Sequence, residues 1–270
     1  MKFAVIGHPV GHSLSPAMHE ASFRAIGFAG SYGAVDVAPE ELPEAMKRFV
    51  AEGYRGINCT IPHKEAVMPL MDALDASVVT CGAVNTVRIE ENGRTTGFNT
   101  DCVGFALSLE EACPSFRWQG EALMLGAGGA ARAVAVACLE KGCTSLTIAN
   151  RTRAKAEALA EALREHYATP IVAIGLDELR AADFSLIINT TAIGLKAEDA
   201  SALPAAYFRP GQVVCDIIPV KRETATLFVA RQAGAIGVGG LGMLIHQGAE
   251  AFRIWTGQEP DVAAMTAAIS

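Results

Sequence analysis

No apolar run in the sequence approaches the roughly 20 residues that a helix needs to cross a bilayer, so no membrane span is expected. Basic residues are in the minority: 22 Lys and Arg stand against 29 Asp and Glu, a formal net charge of −7. A general nucleic-acid partner would need a basic face, and this balance argues against one. It leaves room for an anionic small molecule, because a pocket can be basic locally. No two of the seven cysteines (Cys59, Cys81, Cys102, Cys113, Cys138, Cys143, Cys215) have CxxC spacing, and their number is odd. Neither a disulfide framework nor a zinc site is expected, and a reducing, cytoplasmic setting fits. His8 and His12 are four apart, but Pro9 and Gly11 oppose a helix between them, so no metal site is expected there. A charged segment leading into a long apolar one is missing behind Met1, so no secretory leader is expected. Internal repeats and low-complexity tracts are missing too.

What is present is a chain of 270 residues, 51% hydrophobic, long enough for two linked domains with real cores. Short β-like runs alternate with helical patterns. Lys2–Ile6, Ser31–Val37 and Arg55–Cys59 read as strands, each followed by a helical stretch. Ser15-Pro16 reads as a helix cap followed by proline at the first helical position, and Pro39–Ala51 reads as one helix. Asn92-Gly93 is a hairpin signal between Val84–Ile89 and Thr95–Phe98. After a break at Cys113-Pro114-Ser115 the alternation restarts. Ala122–Leu125, Leu146–Ala149, Leu186–Ile188 and Val213–Ile218 are strand-like, with helical patterns at Ala130–Lys141, Thr152–His166 and Glu223–Gln232. A last helix is read from Leu241 to Trp255. Such alternation implies an α/β fold with parallel sheets.

Gly126-Ala127-Gly128-Gly129-Ala130-Ala131 fits G-x-G-x-x-A between an apolar strand and an alanine-rich helix. In that context Gly126 allows the tight turn, Gly128 lets backbone approach a pyrophosphate, and the helix N-terminus offers N–H groups to phosphate. A dinucleotide is therefore expected. A free ribose 2′-hydroxyl would call for an acid about 20 residues on. The sequence has Asn150-Arg151-Thr152-Arg153 there, with Lys155 shortly after. Cations at a helix start oppose its dipole unless they serve a ligand such as a 2′-phosphate. NADP is the expected cofactor, with NAD as the alternative.

Polar clusters fall at or near strand ends in the N-terminal half: Ser13-Leu14-Ser15-Pro16, Asn58 to Lys64, Asn85-Thr86, and Asn99-Thr100-Asp101. Taken singly, Ser15, Asn85 and Asp101 have plain roles as caps and turn residues, and Lys64 as a surface lysine. Together they form an inventory suited to a ring bearing hydroxyls and a carboxylate. Buried hydroxyls need paired donors and acceptors.

On these segments, together with Val5 to Pro9, Gly82 to Thr86, Gly97 to Asp101 with Gly104-Phe105, the Gly126 loop, Asn150-Arg151-Thr152 and Leu244 to Glu250, the chain resembles the shikimate dehydrogenase family. The resemblance implies two domains: an N-terminal α/β substrate domain completed by C-terminal helices (1–101 plus 240–270) and a Rossmann-type dinucleotide-binding domain (102–239). It implies Ser13 and Ser15 at a substrate carboxylate, and Thr60, Asn85, Asp101 and Gln247 at ring hydroxyls with Thr100 assisting. Lys64 and Asp101 are the implied catalytic pair. The expected cofactor set is Gly126, Ala127, Gly128, Gly129, Ala130, Asn150, Arg151, Thr152 and Lys155, with Thr190 and Gly240. The expected reaction is reversible hydride transfer between NADPH and 3-dehydroshikimate, in a monomer or homodimer. Quinate or an amino-substituted shikimate is the nearest alternative, and a nucleotide-binding regulatory paralogue the alternative of another class.

Two segments depart from the family pattern. Asn-Ala-Thr-Pro-x-Gly-Met is replaced by Asn189-Thr190-Thr191-Ala192-Ile193-Gly194-Leu195. Losing the proline is expected to loosen that loop. In the second segment, Asp216 to Thr226, Pro219 stands where the family has a substrate-touching tyrosine. A hydroxyl donor is lost there, with an expected effect on substrate preference or turnover.

Overall fold

The computed structural model describes residues 1–270, which divide into two compact units: residues 1–104 with 244–270, and residues 105–243. In chain order the first unit opens with β1 (Lys2–Gly7), α1 (Ser15–Ala25), β2 (Ser31–Asp36), α2 (Leu42–Ala51), β3 (Tyr54–Cys59) and α3 (His63–Ala66). It continues with β4 (Ala73–Leu74), α4 (Ala76–Cys81), β5 (Thr86–Ile89), β6 (Thr95–Phe98) and the start of α5 (Asp101–Ala112). The sheet order is β2-β1-β3-β5-β6-β4. Strands β1, β2 and β3 are parallel, and β5 runs antiparallel to both β3 and β6. The β5–β6 turn forms as the Asn-Gly pair requires: Gly93 has φ +85°, and the Asn92 side chain accepts the Arg94 N–H at 3.0 Å. Ala4, Ile6, Ile57 and Val87 of the sheet bury against Leu42 and Phe49 of α2.

Two local expectations are corrected. Ser15 is not the cap of α1 but its first residue, with Leu14 before it making no side-chain cap bond. The Ser13 hydroxyl supplies the acceptor instead, taking the Ser15 N–H at 3.3 Å. The stretch 39–51 is not one helix: a single 3₁₀ turn, Pro39–Glu41, precedes α2. Pro43 cannot donate an i→i−4 bond, so a continuous α-helix through it is disfavoured.

The second unit contains β7 (Glu121–Leu125), α6 (Ala131–Glu140), β8 (Ser145–Asn150), α7 (Arg153–Arg164) and β9 (Ile171–Gly175). After these come β10 (Leu186–Asn189), β11 (Val213–Asp216), α8 (Ala225–Gln232) and β12 (Ile236–Gly239). All six strands are parallel, in the order β12-β11-β10-β7-β8-β9. The chain reverses its direction of travel across the sheet between β7 and β10, and ligands bind beyond the strand ends at such a point. Every residue of β10 and β11 is buried, as continuous apolar strands covered on both faces should be.

Helices α9 (Leu241–Thr256) and α10 (Val262–Ile269) bring the chain back, and from Leu244 onward they belong to the first unit. Trp255 anchors the return. Its ring stacks on Phe3 at 5.1 Å, its indole N–H donates to the Val87 carbonyl at 2.9 Å, and any side chain at Gly56 would collide with it. Burying one such large side chain contributes about 1.5–3 kcal/mol. The α10 segment is tied to α1 by the Asp261 N–H donating to the Ser22 hydroxyl at 2.9 Å. No helix is long and apolar enough to cross a membrane. All seven cysteines are free.

Candidate active site

Three chain segments converge in the first unit. Residues Thr60 to Lys64 leave β3 and form the one-turn helix α3, the backbone of Asn85 enters β5, and Asn99 to Asp101 leave β6 to start α5. Backbone bonds fix this meeting: Val84 N–H to the Lys64 carbonyl (2.8 Å), Cys59 N–H to the Asn85 carbonyl (2.8 Å), and Asn85 N–H to the Phe98 carbonyl (3.1 Å). The Asn99 side chain caps α5 by accepting the Asp101 N–H at 3.0 Å. Asp101 therefore stands in the first turn of a helix, where the dipole favours a carboxylate.

Lys64 Nζ lies 2.5 Å from Asp101 Oδ2, and the two side chains are only 16% and 8% exposed. A pair this sequestered holds together only if its remaining valences are met. They are: Asn85 Nδ2 donates to Asp101 Oδ1 at 2.8 Å and to the Thr100 hydroxyl at 3.0 Å. Asn85 Oδ1 in turn accepts the Thr100 N–H at 2.8 Å. Thr100 reaches Gln247 of α9, whose Oε1 lies 3.5 Å from the Thr100 hydroxyl. That approach is possible because position 104 is glycine, where a Cβ would stand 2.7 Å from the Gln247 Cβ. An ammonium donor beside a carboxylate acceptor can deliver a proton and positive charge to an oxygen gaining negative charge, and can reverse the step.

Lys64, Asn85, Thr100, Asp101 and Gln247 are thus joined by hydrogen bonds. Thr60 is next to them in the chain, half-buried, with its backbone fixed by Ile6 and its hydroxyl given no protein partner. Ser13 and Ser15 lie at the entry to α1, outside this set, and Ser15 hydrogen-bonds to Tyr32. The sequence places Asn58 and Thr86 in polar clusters without giving either a role of its own and points to nothing at Tyr32; all three are buried beside the cluster. Asn58 carried a signal, as a polar residue in a strand whose neighbours Ile57 and Cys59 are core. Tyr32 carried none. The histidines hold no common centre: His8 Nδ1 pairs with Asp36 at 2.6 Å, and the buried His19 ring stacks on Tyr32 at 4.3 Å.

In the second unit Gly126 follows β7 with φ +106°, and a Cβ there would stand 2.6 Å from the Thr190 hydroxyl. That hydroxyl donates to the Leu125 carbonyl at 2.7 Å, which places Thr190 beside the glycine turn. Gly128 and Gly129 are exposed, and nothing lies within 4 Å of where their Cβ atoms would be. This is the open backbone that a pyrophosphate needs ahead of α6. Ala127 and Ala130 complete the turn, with Ala130 in the cap position. At the end of β8, Asn150 Nδ2 donates to the Thr152 carbonyl at 2.8 Å and shapes the entry to α7. Arg151 and Lys155 are exposed. The Arg151 guanidinium has no protein partner, whereas Arg153 is held by Glu157 (2.8 Å) and Glu178 (2.7 Å). Of the two arginines, Arg151 is the one available to a phosphate. Gly240 is buried, with the Ile217 backbone packed where a side chain would stand. These residues fit NADP.

The two departing segments are knitted together. Asp216 Oδ2 accepts the Thr224 hydroxyl at 2.7 Å, and its Oδ1 accepts Asn189 Nδ2 at 3.1 Å. Burial pushes this carboxyl above its ordinary value, against the pull of the Thr224 and Asn189 hydrogen bonds. The Arg222 guanidinium donates to the Gly194 carbonyl at 2.6 Å and the Leu195 carbonyl at 3.0 Å. Arg222 thus holds the Gly194–Leu195 end of the loop that lacks the family's proline.

Three family descriptions match along the chain. They are the shikimate dehydrogenase substrate binding domain over residues 5–87, shikimate / quinate 5-dehydrogenase over 111–203, and the shikimate 5′-dehydrogenase C-terminal domain over 240–269. A shikimate dehydrogenase (NADP(+)) of Rubrobacter xylanophilus is 47% identical over 272 residues, covering 98% of this chain and 94% of that protein. The chain belongs to the shikimate dehydrogenase family. Among solved members, the shikimate 5-dehydrogenase of Thermus thermophilus in complex with NADP(H) and shikimate superposes with TM-score 0.89 at 40% identity, covering 100% of this chain and 98% of that one. A quinate dehydrogenase of Corynebacterium glutamicum in complex with NAD gives TM-score 0.92 at 33% identity, covering 99% and 98%. The family's two-part α/β architecture, a substrate domain and a Rossmann-type one, is the architecture described above.

Proposed function

We propose that the chain is an NADP-dependent shikimate dehydrogenase, interconverting shikimate and 3-dehydroshikimate in the route to aromatic amino acids. The observation that carries this is the Lys64–Asp101 pair, 2.5 Å apart and fixed by Asn85. The family and its NADP-dependent relatives supply the substrate and cofactor class. Ser13 and Ser15 hold the substrate carboxylate. Thr60, Asn85, Asp101 and Gln247, with Thr100, meet the ring hydroxyls. The turn from Gly126 to Ala130 receives the pyrophosphate, Asn150 to Lys155 the adenosine end with Arg151 on the 2′-phosphate, and Thr190 and Gly240 complete the cofactor set. When bound, NADP supplies the hydride acceptor, and NADPH the donor.

The protein's part is the proton. As a ring C–OH loses hydride, its hydroxyl proton passes to the lysine–aspartate pair. In the reverse direction Lys64 returns a proton to the carbonyl oxygen, and Asp101 steadies the ammonium. A coupled pair shares the titration, so the step belongs to both groups.

A second reading, quinate as substrate, has one observation in its favour, the likeness to a quinate dehydrogenase; Pro219 in place of the tyrosine puts substrate preference in play without choosing between the two. Initial rates of NADP⁺ and NAD⁺ reduction with shikimate and with quinate decide between them. Rapid NADP⁺ reduction by shikimate alone is expected. A higher rate with quinate overturns the shikimate assignment.

A further inference from the structure

Beneath the Lys64–Asp101 pair runs a buried line of side chains to which the reaction assigns nothing. The Tyr32 phenol donates to Asn58 Oδ1 at 2.6 Å. Asn58 Nδ2 donates to the Thr86 hydroxyl at 3.0 Å and to the Asn85 carbonyl at 3.2 Å. The Thr86 hydroxyl donates to Asn85 Oδ1 at 3.0 Å. Asn85 Nδ2 then donates to Asp101 Oδ1.

The two amides set the direction of these bonds, and the Thr86 hydroxyl also lies 3.4 Å from the Thr100 hydroxyl. A carbonyl only accepts, so the Asn85 carbonyl fixes which end of the Asn58 amide is nitrogen. A backbone N–H only donates, so Thr100 N–H fixes which end of the Asn85 amide is oxygen. With both amides oriented, Tyr32 must donate, Thr86 must receive from Asn58, and Asp101 Oδ1 must accept; the nearest acceptor for the Thr86 hydrogen is Asn85 Oδ1, at 3.0 Å against 3.4 Å to the Thr100 hydroxyl. Burial pushes the Tyr32 phenol well above its ordinary value, with a hydrogen bond from Ser15 opposing, so the phenol stays a donor at any working pH. At its far end the line therefore touches Ser15.

We infer that Tyr32, Asn58 and Thr86 are positioning residues: a one-way donor relay that orients Asn85 and thereby holds Asp101 as the acceptor facing Lys64. The inference rests on the reading of Lys64 and Asp101 as the catalytic pair. It gives a use to three polar side chains sunk in the core, where a merely structural role would be met as well by apolar residues of the same shape.

The test uses the full-length protein with shikimate and NADP⁺ and four variants: Thr86→Val, Thr86→Ser, Tyr32→Phe and Lys64→Ala. Thr86→Val is close in shape but cannot relay a hydrogen. It is expected to lower kcat about 10- to 100-fold, as misplacing a reacting group does, with KM for shikimate and NADP⁺ little changed. Thr86→Ser restores the hydroxyl and is expected to recover most of kcat. Tyr32→Phe removes only the far donor and is expected to lower kcat about fivefold, the worth of one neutral hydrogen bond. Near-normal kcat in both Thr86→Val and Tyr32→Phe, with Lys64→Ala inactive, overturns the relay and leaves the catalytic pair standing. An active Lys64→Ala overturns the pair and the relay together. Should Thr86→Val fail to fold, Tyr32→Phe alone decides by the same criterion.

Discussion

On the proposed roles, the two units handle ligands by opposite means. In the first, the site is made of side chains that already satisfy one another: Lys64 with Asp101, Asn85 with Thr100 and Asp101, Asn58 with Thr86. In the second, the site is made of missing side chains, with Gly128 and Gly129 leaving open space above the start of α6. A preorganised polar cluster can be aimed at charge that develops during a reaction. An open backbone turn only needs to let a phosphate come close. The contrast teaches where each unit is vulnerable: one to any change of hydrogen-bonding capacity, the other to any added atom.

The comparison can be broken most forcefully at Lys64. Lys64→Ala is expected to lower turnover by roughly 10²–10⁴-fold, while nucleotide binding, followed by NADPH fluorescence titration, stays near normal. Comparable losses of both would mean the units are not separable in function. The next largest effect falls in the glycine turn. Gly126→Ala puts a Cβ at φ +106° and 2.6 Å from the Thr190 hydroxyl, so thermal melting should show a loss of about 1–3 kcal/mol. Gly128→Ala meets nothing in the free protein, so its melting temperature should hold while its Kd for NADP(H) rises. Equal melting temperatures for the two variants would remove the distinction between a turn that needs glycine and a surface that needs room.

Arg151→Ala should weaken NADP(H) about tenfold or more, the worth of a charged hydrogen bond to phosphate, and change NAD(H) little. Identical losses for the two cofactors would move 2′-phosphate recognition elsewhere. The smallest effect expected is in the buried ring of His19, an exception in the first unit to the satisfied polarity of the Lys64–Asp101 cluster. Neither ring nitrogen of His19 has a partner, and burial drives its pKa from 6.5 down to about 3. Above 6.5 the ring is neutral folded or unfolded and costs nothing. As pH falls from 6.5 toward about 3, the unfolded chain binds a proton that the folded chain refuses, so stability declines, by about 1 kcal/mol one unit below the start. His19→Phe should flatten that part of the denaturant-stability profile between about pH 7 and 5.5.

What could be read in the sequence was whatever is written in consecutive residues. The glycine turn, Asn92-Gly93 and the Asn58 to Lys64 segment each carry their meaning within a few positions, because a turn or a strand end is a local event. Strand β9 and helix α10 went unread. The first is five residues long with only two of them buried, and the second, Val262 to Ile269, has no polar face to set a period. Strand β12 reads Ile-Gly-Val-Gly, a composition with little strand propensity, and exists because β11 offers it a parallel partner. The Tyr32–Asn58–Thr86 line was illegible for a different reason. Its successive members lie 26 and 28 residues apart, so only the sheet register brings them together. The roles of Ser13, Thr60 and Gln247 came from family likeness alone.

The return of the chain through Trp255 also sets an order of events at the ribosome. Residues 105–243 form a contiguous unit and can fold as soon as they have emerged. The first unit is made earlier but is finished later, because the indole that seals Gly56 and Val87 arrives only with residues 244–270. During synthesis the cluster around Lys64 and Asp101 therefore waits for Gln247 of α9, which meets Thr100, until residues 105–243 have been made. On the proposed roles, newborn chains would form the dinucleotide turn before the proton-transfer pair is complete.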